Sequence, residues 1–315
     1  MANQRQNGTD AILQLGHHRL YFVTGKGGTG KTAICVALAR ALARRGKRVL
    51  ILEVDAPRPN LPSYFGGQPS YQPIQLAPRI DGANLDFFSA LRSYVESVVP
   101  AKRVVGLVLR NKVVKVFLGA TPGARELVLL SRIWEHSLDP QWDHIFVDLP
   151  ASGHAVALFR TPQLAIGTFE RGPLRGRADQ IRERFSDPSV ARVIFAALPG
   201  EMPVNETIET RAQIERIGMP AIGGVLMNRF PSEAFSQLDQ DLLDHVLTLP
   251  GAPGLVPDAV ESARVVRREQ HIAQAGFDQL VEVFGKDNSL KLPTLPGMHS
   301  QVADSLSLML VEYVA

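Results

Sequence analysis

One cysteine, Cys35, stands in 315 residues. A lone thiol rules out an intrachain disulfide framework, a zinc site built from paired cysteines and an iron–sulfur cluster ligated by several thiolates of one chain. Long hydrophobic runs are missing as well. A membrane-spanning helix needs roughly 18–20 consecutive apolar residues, whereas a candidate such as Ile217–Asn228 is shorter and broken by Gly and Pro. Charge of one sign is scarce: 34 Lys and Arg against 31 Asp and Glu give a formal +3, too small a bias to imply nucleic-acid binding by itself. The segment Met1–His18 is polar and lacks the apolar core of a secretory signal, so the expected location is cytoplasmic, at most peripheral to the inner face of the membrane. With 45% hydrophobic and 21% charged residues, the composition excludes disordered, collagenous and coiled-coil classes. The length suits one large or two modest domains.

Apolar runs of five to eight residues recur at Arg19–Thr24, Arg48–Val54, Leu85–Ala90, His144–Leu149, Val193–Leu198, Ala221–Met227 and His245–Leu249. Several are almost continuously hydrophobic, the pattern of parallel strands covered on both faces by helices. Lys31–Arg45 carries Ile34, Leu38, Ala41 and Leu42 on one helical face, with Gly46 just past its end. Strand, glycine turn, helix and strand together make a βαβ unit. Arg58–Ile80 holds five prolines and reads as an extended connection. Ser93–Ile133 and Arg160–Phe185 are helix-permissive. The expected architecture is an α/β phosphate-loop fold: a mostly parallel, doubly wound sheet of about seven to eight strands with an inserted helical subdomain. The expected division is a polar tail over 1–18, a nucleotide-binding domain over 19–285 with helices from about 93–133 and 160–190, and a linker plus C-terminal helix over 286–315.

Gly25-Lys26-Gly27-Gly28-Thr29-Gly30-Lys31-Thr32 follows an apolar strand and opens a helix, the context that makes G-x-x-x-x-G-K-[ST] specific for phosphate binding. The glycines let successive backbone N–H groups converge on phosphate oxygens, and the helix N-terminus, with Ala33 among the expected nucleotide contacts, adds partial positive charge. Lys31 is expected to contact the β/γ-phosphates. The Thr32 hydroxyl is a hard oxygen suited to Mg²⁺. Asp55 ends the second strand at the carboxyl edge of the sheet, where ligands of doubly wound folds bind; it is a candidate to orient an attacking water, or simply a turn-capping residue. Asp148 ends the His144 strand, where phosphate-loop proteins keep the acidic partner of Mg²⁺. Pro150, Gly153 and His154 follow in a small-residue turn able to respond to a γ-phosphate, although His154 is equally an ordinary turn histidine. Asn228 closes another strand and offers a carboxamide of the kind that pairs with an adenine edge, or serves a turn. No Asn-Lys-x-Asp or Thr-Lys-x-Asp segment occurs, which favours adenine over guanine.

Gly25–Thr32 with Lys26, Asp55-Ala56-Pro57, Asp148–His154, Glu201–Thr207 and Gly224–Arg229 together resemble the ArsA-type anion-transporting ATPase family across roughly Leu20 to Arg268. Pro122–Leu127 is similar to the corresponding stretch of its bacterial members. The phosphate loop alone also fits related deviant Walker A ATPases, the ParA and MinD positioning proteins among them. The resemblance implies ATP hydrolysis with Mg²⁺ in a nucleotide-gated dimer. Lys26 becomes the signature lysine reaching a partner's phosphates, and Asp55 the switch I residue, close to the metal and to the water. Asp148 with Pro150, Gly153 and His154 becomes Walker B and switch II; Asn228 and, more weakly, Pro257 become adenine contacts. The partner chain is identical or a paralogous ATPase, and the client protein is unidentified.

The departures from the family also carry information. Arsenite-sensing members use several cysteines, so arsenite handling does not fit a chain with Cys35 alone. The Cys-x-x-Cys zinc clasp of relatives that target tail-anchored membrane proteins is absent, and none of the six methionines falls between Ser93 and Phe185, where such relatives line a client groove. Ser97–Arg125 is basic, with Lys102, Arg103, Arg110, Lys112, Lys115 and Arg125, no acid, and interleaved aliphatic residues. Contact with DNA or an anionic membrane through Lys102–Arg125 therefore stands as an alternative, of the ParA and MinD kind. A slow-turnover scaffold that binds ATP is the other alternative.

Overall fold

The computed structural model describes residues 17–56, 58–98, 123–231 and 256–314. Its centre is an eight-stranded sheet made from β1 (Leu20–Thr24), β2 (Val49–Val54), β3 (Ile74–Ala77), β4 (Ile80–Leu85), β5 (His144–Asp148), β6 (Ala191–Ala197), β7 (Ala221–Phe230) and β8 (Ser289–Pro293). The strand order is β3-β4-β2-β5-β1-β6-β7-β8. All neighbours run parallel except β3 and β4, which form an antiparallel edge. The chain reverses direction across the sheet on either side of β1, so the loops after β1, β2 and β5 converge at one carboxyl edge, the ligand position of such sheets.

Alternate residues of the central strands enter different cores. Leu20 and Phe22, Leu50 and Leu52, and Val193 and Phe195 join one apolar cluster. Tyr21 and Val23, Val49 and Ile51, and Ile194 and Ala196 join the other. Both faces are covered, which explains why these strands read as continuous hydrophobic runs. On the first face lie α3 (Phe87–Val98), α4 (Ala124–Leu138), α5 (Ser152–Thr168), α6 (Pro173–Ser186), α7 (Glu201–Ile217) and α8 (Val256–Phe284). Helices α3 to α6 pack on one another as well as on the sheet. The second face is covered by α1 (Lys31–Arg44) and α9 (His299–Leu310), with the single-turn α2 (Pro62–Phe65) beside them.

Three sequence readings change. The run Leu85–Ala90 is not a strand: β4 ends at Leu85, and Asp86 turns the chain into α3 by accepting the Ser89 N–H at 3.0 Å on its carboxylate. An aspartate cap within an apolar run outweighs the run itself. Arg58–Ile80 is more than an extended connection, because it contains α2 and β3. The stretch read as the linker Lys286–Gly297 supplies β8, which pairs with β7 and buries Leu292. The terminal helix is integral too, since α9 sets Ala303, Leu306 and Leu310 against α1. The strand expected at His245–Leu249 lies outside the described residues, as does most of the basic stretch Lys102–Arg125. Among the described residues no helix is long and apolar enough to cross a membrane.

Candidate nucleotide site

Gly25–Thr32 joins β1 to α1 and needs its glycines for two stated reasons. Gly25 has φ 151° and lies so close to the Ala196 carbonyl oxygen of β6 that a Cβ would overlap it. Gly30 caps α1 in the left-handed region, φ 87°, and a Cβ there would enter the Asn228 carboxamide. Both the backbone N–H and the hydroxyl of Thr29 donate to the Lys26 carbonyl, the hydroxyl at 2.9 Å. Lys31 folds back over the loop, its Nζ donating to the carbonyls of Gly25 at 3.1 Å and Lys26 at 3.2 Å. Gly27 and Gly28 have open space around them, and Ala33 begins the wall formed by α1.

Directly across from the loop, the Thr32 hydroxyl donates to Asp148 Oδ2 at 2.5 Å. Asp148 is almost fully buried, and its other oxygen, Oδ1, has no hydrogen-bond partner. Burial raises the Asp148 carboxyl to about 7, against the opposing pull of the Thr32 hydrogen bond and the Lys31 cation. The same desolvation lowers the Lys31 ammonium, with Asp148 acting the other way. For both groups, loss of water outweighs their mutual attraction. Glu53 sits beside Asp148 in the sheet register, buried, and accepts the backbone N–H of Asn60 at 2.6 Å. It fastens the loop after β2 to the site; its pKa is also raised by burial.

An orphaned buried carboxylate oxygen next to a hydroxyl, at the mouth of a phosphate loop, fits a hard cation. Among the described residues no group of three or more His, Cys, Asp and Glu forms a protein cage for a metal. Mg²⁺ suits such a sparse set, because it keeps waters and takes oxygens from bound phosphates.

Asp55 follows β2 in the left-handed backbone region, φ 53°, a conformation uncommon for a residue with a side chain. Its Oδ2 receives two donors from Arg125 in the first turn of α4, Nε at 2.8 Å and a terminal nitrogen at 2.5 Å. Lys26 is turned inward on its own chain: Nζ lies 3.0 Å from Glu206 Oε2 on α7. The other oxygen of Glu206 accepts the Ser152 hydroxyl at 2.7 Å. Ser152 begins α5 immediately after the Asp148–Ala151 turn, so phosphate loop, switch segment and α7 are tied by one carboxylate. Those two hydrogen bonds hold the Glu206 carboxyl below its ordinary value. Gly153 and His154 lie exposed in the first turn of α5, while Pro150 lines the cavity.

The cavity measures about 700 Å³ and joins these parts. Its lining includes Lys31, Thr32, Asp55, Asp148 and Asn228, together with Tyr64, Pro293, Thr294, Leu295 and His299. Asn228 is buried and its carboxamide is engaged at both ends: Nδ2 donates to the Thr29 carbonyl at 2.9 Å and Oδ1 accepts the Arg229 N–H at 3.0 Å. It supports the loop from below Gly30. Pro257 lies in the first turn of α8, its side chain outside the described residues. Sequence reading missed Arg125, Glu53, Glu206 and the Pro293–Gly297 segment as parts of the site. Arg125 and Glu206 fall within the family-like stretches Pro122–Leu127 and Glu201–Thr207, and the last segment carries a Pro-x-x-Pro-Gly turn closing what proves to be a strand.

Comparison with known proteins agrees with this geometry. The profile of the anion-transporting ATPase family, ArsA, matches residues 18–172, which contain the phosphate loop, Asp55, Arg125 and Asp148. ATPase BagA of Mycobacterium tuberculosis is 27% identical over 285 residues, covering 81% of this chain and 83% of that protein. The arsenical pump-driving ATPase of Acidiphilium multivorum is 30% identical over 230 residues, 65% of this chain and 39% of the relative. One from Escherichia coli is 29% identical over 229 residues with the same coverages. This chain thus spans well under half the length of the pump-driving relatives. Phosphate loop, strand-end carboxylates and sequence similarity together support an ArsA-type ATPase family member.

Proposed function

We propose that this protein hydrolyses ATP to ADP and phosphate with Mg²⁺, as a nucleotide-gated dimer coupled to a client protein. The observation that carries the reading is the pairing of the Thr32 hydroxyl with the buried, half-satisfied carboxylate of Asp148 at the phosphate loop. Thr32 and Asp148 would hold the metal, which when bound neutralises charge on the β- and γ-phosphates. The backbone N–H groups of Gly27–Thr32 bind phosphate oxygens, and Lys31 exchanges the loop carbonyls for the β/γ-phosphates. Asp55 accepts a hydrogen bond from the attacking water and orients it, the positioning role that dominates phosphoryl transfer. Pro293–Gly297 encloses the base, with Asn228 bracing the loop beneath it. Lys26 leaves Glu206 to meet phosphate held by a second chain, identical or paralogous, and supplies positive charge as the transferring group develops negative charge. Arsenite is not the cargo on this reading, because Cys35 is buried and alone.

Two measurements on the full chain test it. Phosphate release from Mg²⁺-ATP is expected in the wild type and lost in Thr32→Ala. Light scattering is expected to show the molar mass doubling with Mg²⁺ and a non-hydrolysable ATP analogue. Absence of hydrolysis under conditions where the analogue binds and the mass doubles would refute the enzymatic part. A mass that stays at one chain while hydrolysis proceeds would refute the homodimer and point to a different partner chain.

A further inference from the structure

Arg125 occupies an unfavourable place for a cation. It lies in the first turn of α4, where the unpaired backbone N–H groups already concentrate positive charge and an acidic residue is the stabilising choice. Its guanidinium is about half exposed, as shown by 51% side-chain accessibility, so the ion pair with Asp55 contributes little to holding the fold. Helix stability does not account for an arginine here.

Its geometry is nevertheless well defined. Two nitrogens converge on one oxygen of Asp55, Oδ2, while the guanidinium carbon lies 5.1 Å from the centroid of the Phe87 ring at the start of α3. A cation–π contact combined with a fork of two donors on one carboxylate oxygen is available to arginine and not to lysine. The effect is to hold one carboxylate oxygen and leave the other, Oδ1, without a partner among the described residues, in a side chain that lines the cavity. The backbone of Asp55 is already restricted by its left-handed φ and by its N–H, which donates to the Leu85 carbonyl at 2.9 Å. Backbone and guanidinium together leave the carboxylate little freedom.

We propose that Arg125 is a positioning residue for hydrolysis, clamping Asp55 Oδ2 so that Oδ1 is presented to the attacking water. This rests on the proposed ATPase reading and adds to it a residue that touches neither phosphate nor metal.

The test is steady-state ATP hydrolysis by the full chain as Arg125→Ala and Arg125→Lys, with and without millimolar guanidine hydrochloride. Arg125→Ala is expected to lower kcat on the order of 10²-fold, the usual cost of a misplaced catalytic group, with KM and analogue affinity unchanged. Free guanidinium should restore part of kcat to Arg125→Ala in a saturable manner. Arg125→Lys should fall between the two, because an ammonium supplies charge without the fork. A kcat that is unchanged or raised in Arg125→Ala would overturn the proposal, the latter marking the pair as a brake. A loss confined to KM, or one that guanidinium never rescues while thermal melting and analogue binding stay normal, would overturn it as well. A wild-type chain without hydrolysis refutes the ATPase reading itself; an active wild type with a fully active Arg125→Ala refutes only the clamp.

Discussion

Asp148→Asn separates what the site costs the fold from what it does for nucleotide. The carboxyl rises from 3.8 to about 7, with desolvation the leading cause. At about 1.4 kcal/mol per unit this sets an upper bound of about 4 kcal/mol for the cost of the buried carboxylate. The sign follows from proton linkage. Between roughly pH 4 and 7 the folded chain retains a proton that the unfolded chain has lost, so the group makes the protein less stable as pH rises across that window. Below it the group costs nothing, and above it the full cost is reached. Asparagine removes the charge, keeps an oxygen that can accept the Thr32 hydroxyl, and preserves shape. Melting followed by circular dichroism without nucleotide or divalent metal should therefore show Asp148→Asn more stable than wild type at pH 8. The gain should be a few degrees, since the about 2–4 °C per kcal/mol of chains of about 150–250 residues shrinks as chain length grows. At pH 4 the two should melt together. Addition of Mg²⁺ and an ATP analogue should then stabilise the wild type and leave the variant nearly unmoved. A variant that is less stable than wild type by the same amount at both pH values would refute the reasoning, since packing and not ionisation would then be what Asp148 contributes.

The remaining predictions concern the other parts of the site and the fold's edge. Lys31→Ala should weaken ATP binding by at least about 10²-fold, measured by calorimetry, through loss of a charge-assisted phosphate contact; normal affinity would remove the loop from the site. Asp55→Asn should retain ATP and lose hydrolysis, and an unchanged rate of phosphate release would exclude it as the water-positioning group. Lys26→Ala should bind ATP as a single chain yet fail to hydrolyse it, and full activity would contradict a lysine acting in trans. Gly30→Ala should destabilise the chain by more than about 1 kcal/mol, because it is strained at positive φ and collides with Asn228. Leu306→Ala should cost about 2–5 kcal/mol in denaturant melts, as for any buried leucine; a near-zero effect would mean that α9 is an appendage after all.

The phosphate-loop sequence, the parallel sheet and the two strand-end aspartates at its carboxyl edge could be read from the chain itself because each rests on local chemistry. Gly25–Thr32 is contiguous, and the backbone curl it permits depends on its own glycines. The central strands announce themselves since both faces of β1, β2, β5 and β6 are buried, which leaves no polar alternation to obscure them. Elements toward the margins of the sheet carry weaker patterns. β4 contains Asp81, Gly82 and Asn84, and β8 sits in a stretch with charged neighbours, so only pairing with β2 and β7 makes strands of them. Asp86 is one polar residue in an apolar run, and its capping bond appears only when the chain turns. The partners of the candidate site residues belong to the same class. Arg125 is 70 residues from Asp55, and Glu206 is 180 residues from Lys26 and 54 from Ser152. Sequence therefore determined which residues are capable of phosphate and metal chemistry. Only tertiary structure decided which cation or carboxylate restrains each of them, because an ion pair across elements depends on where the sheet's connections place side chains and leaves no periodic trace along the chain.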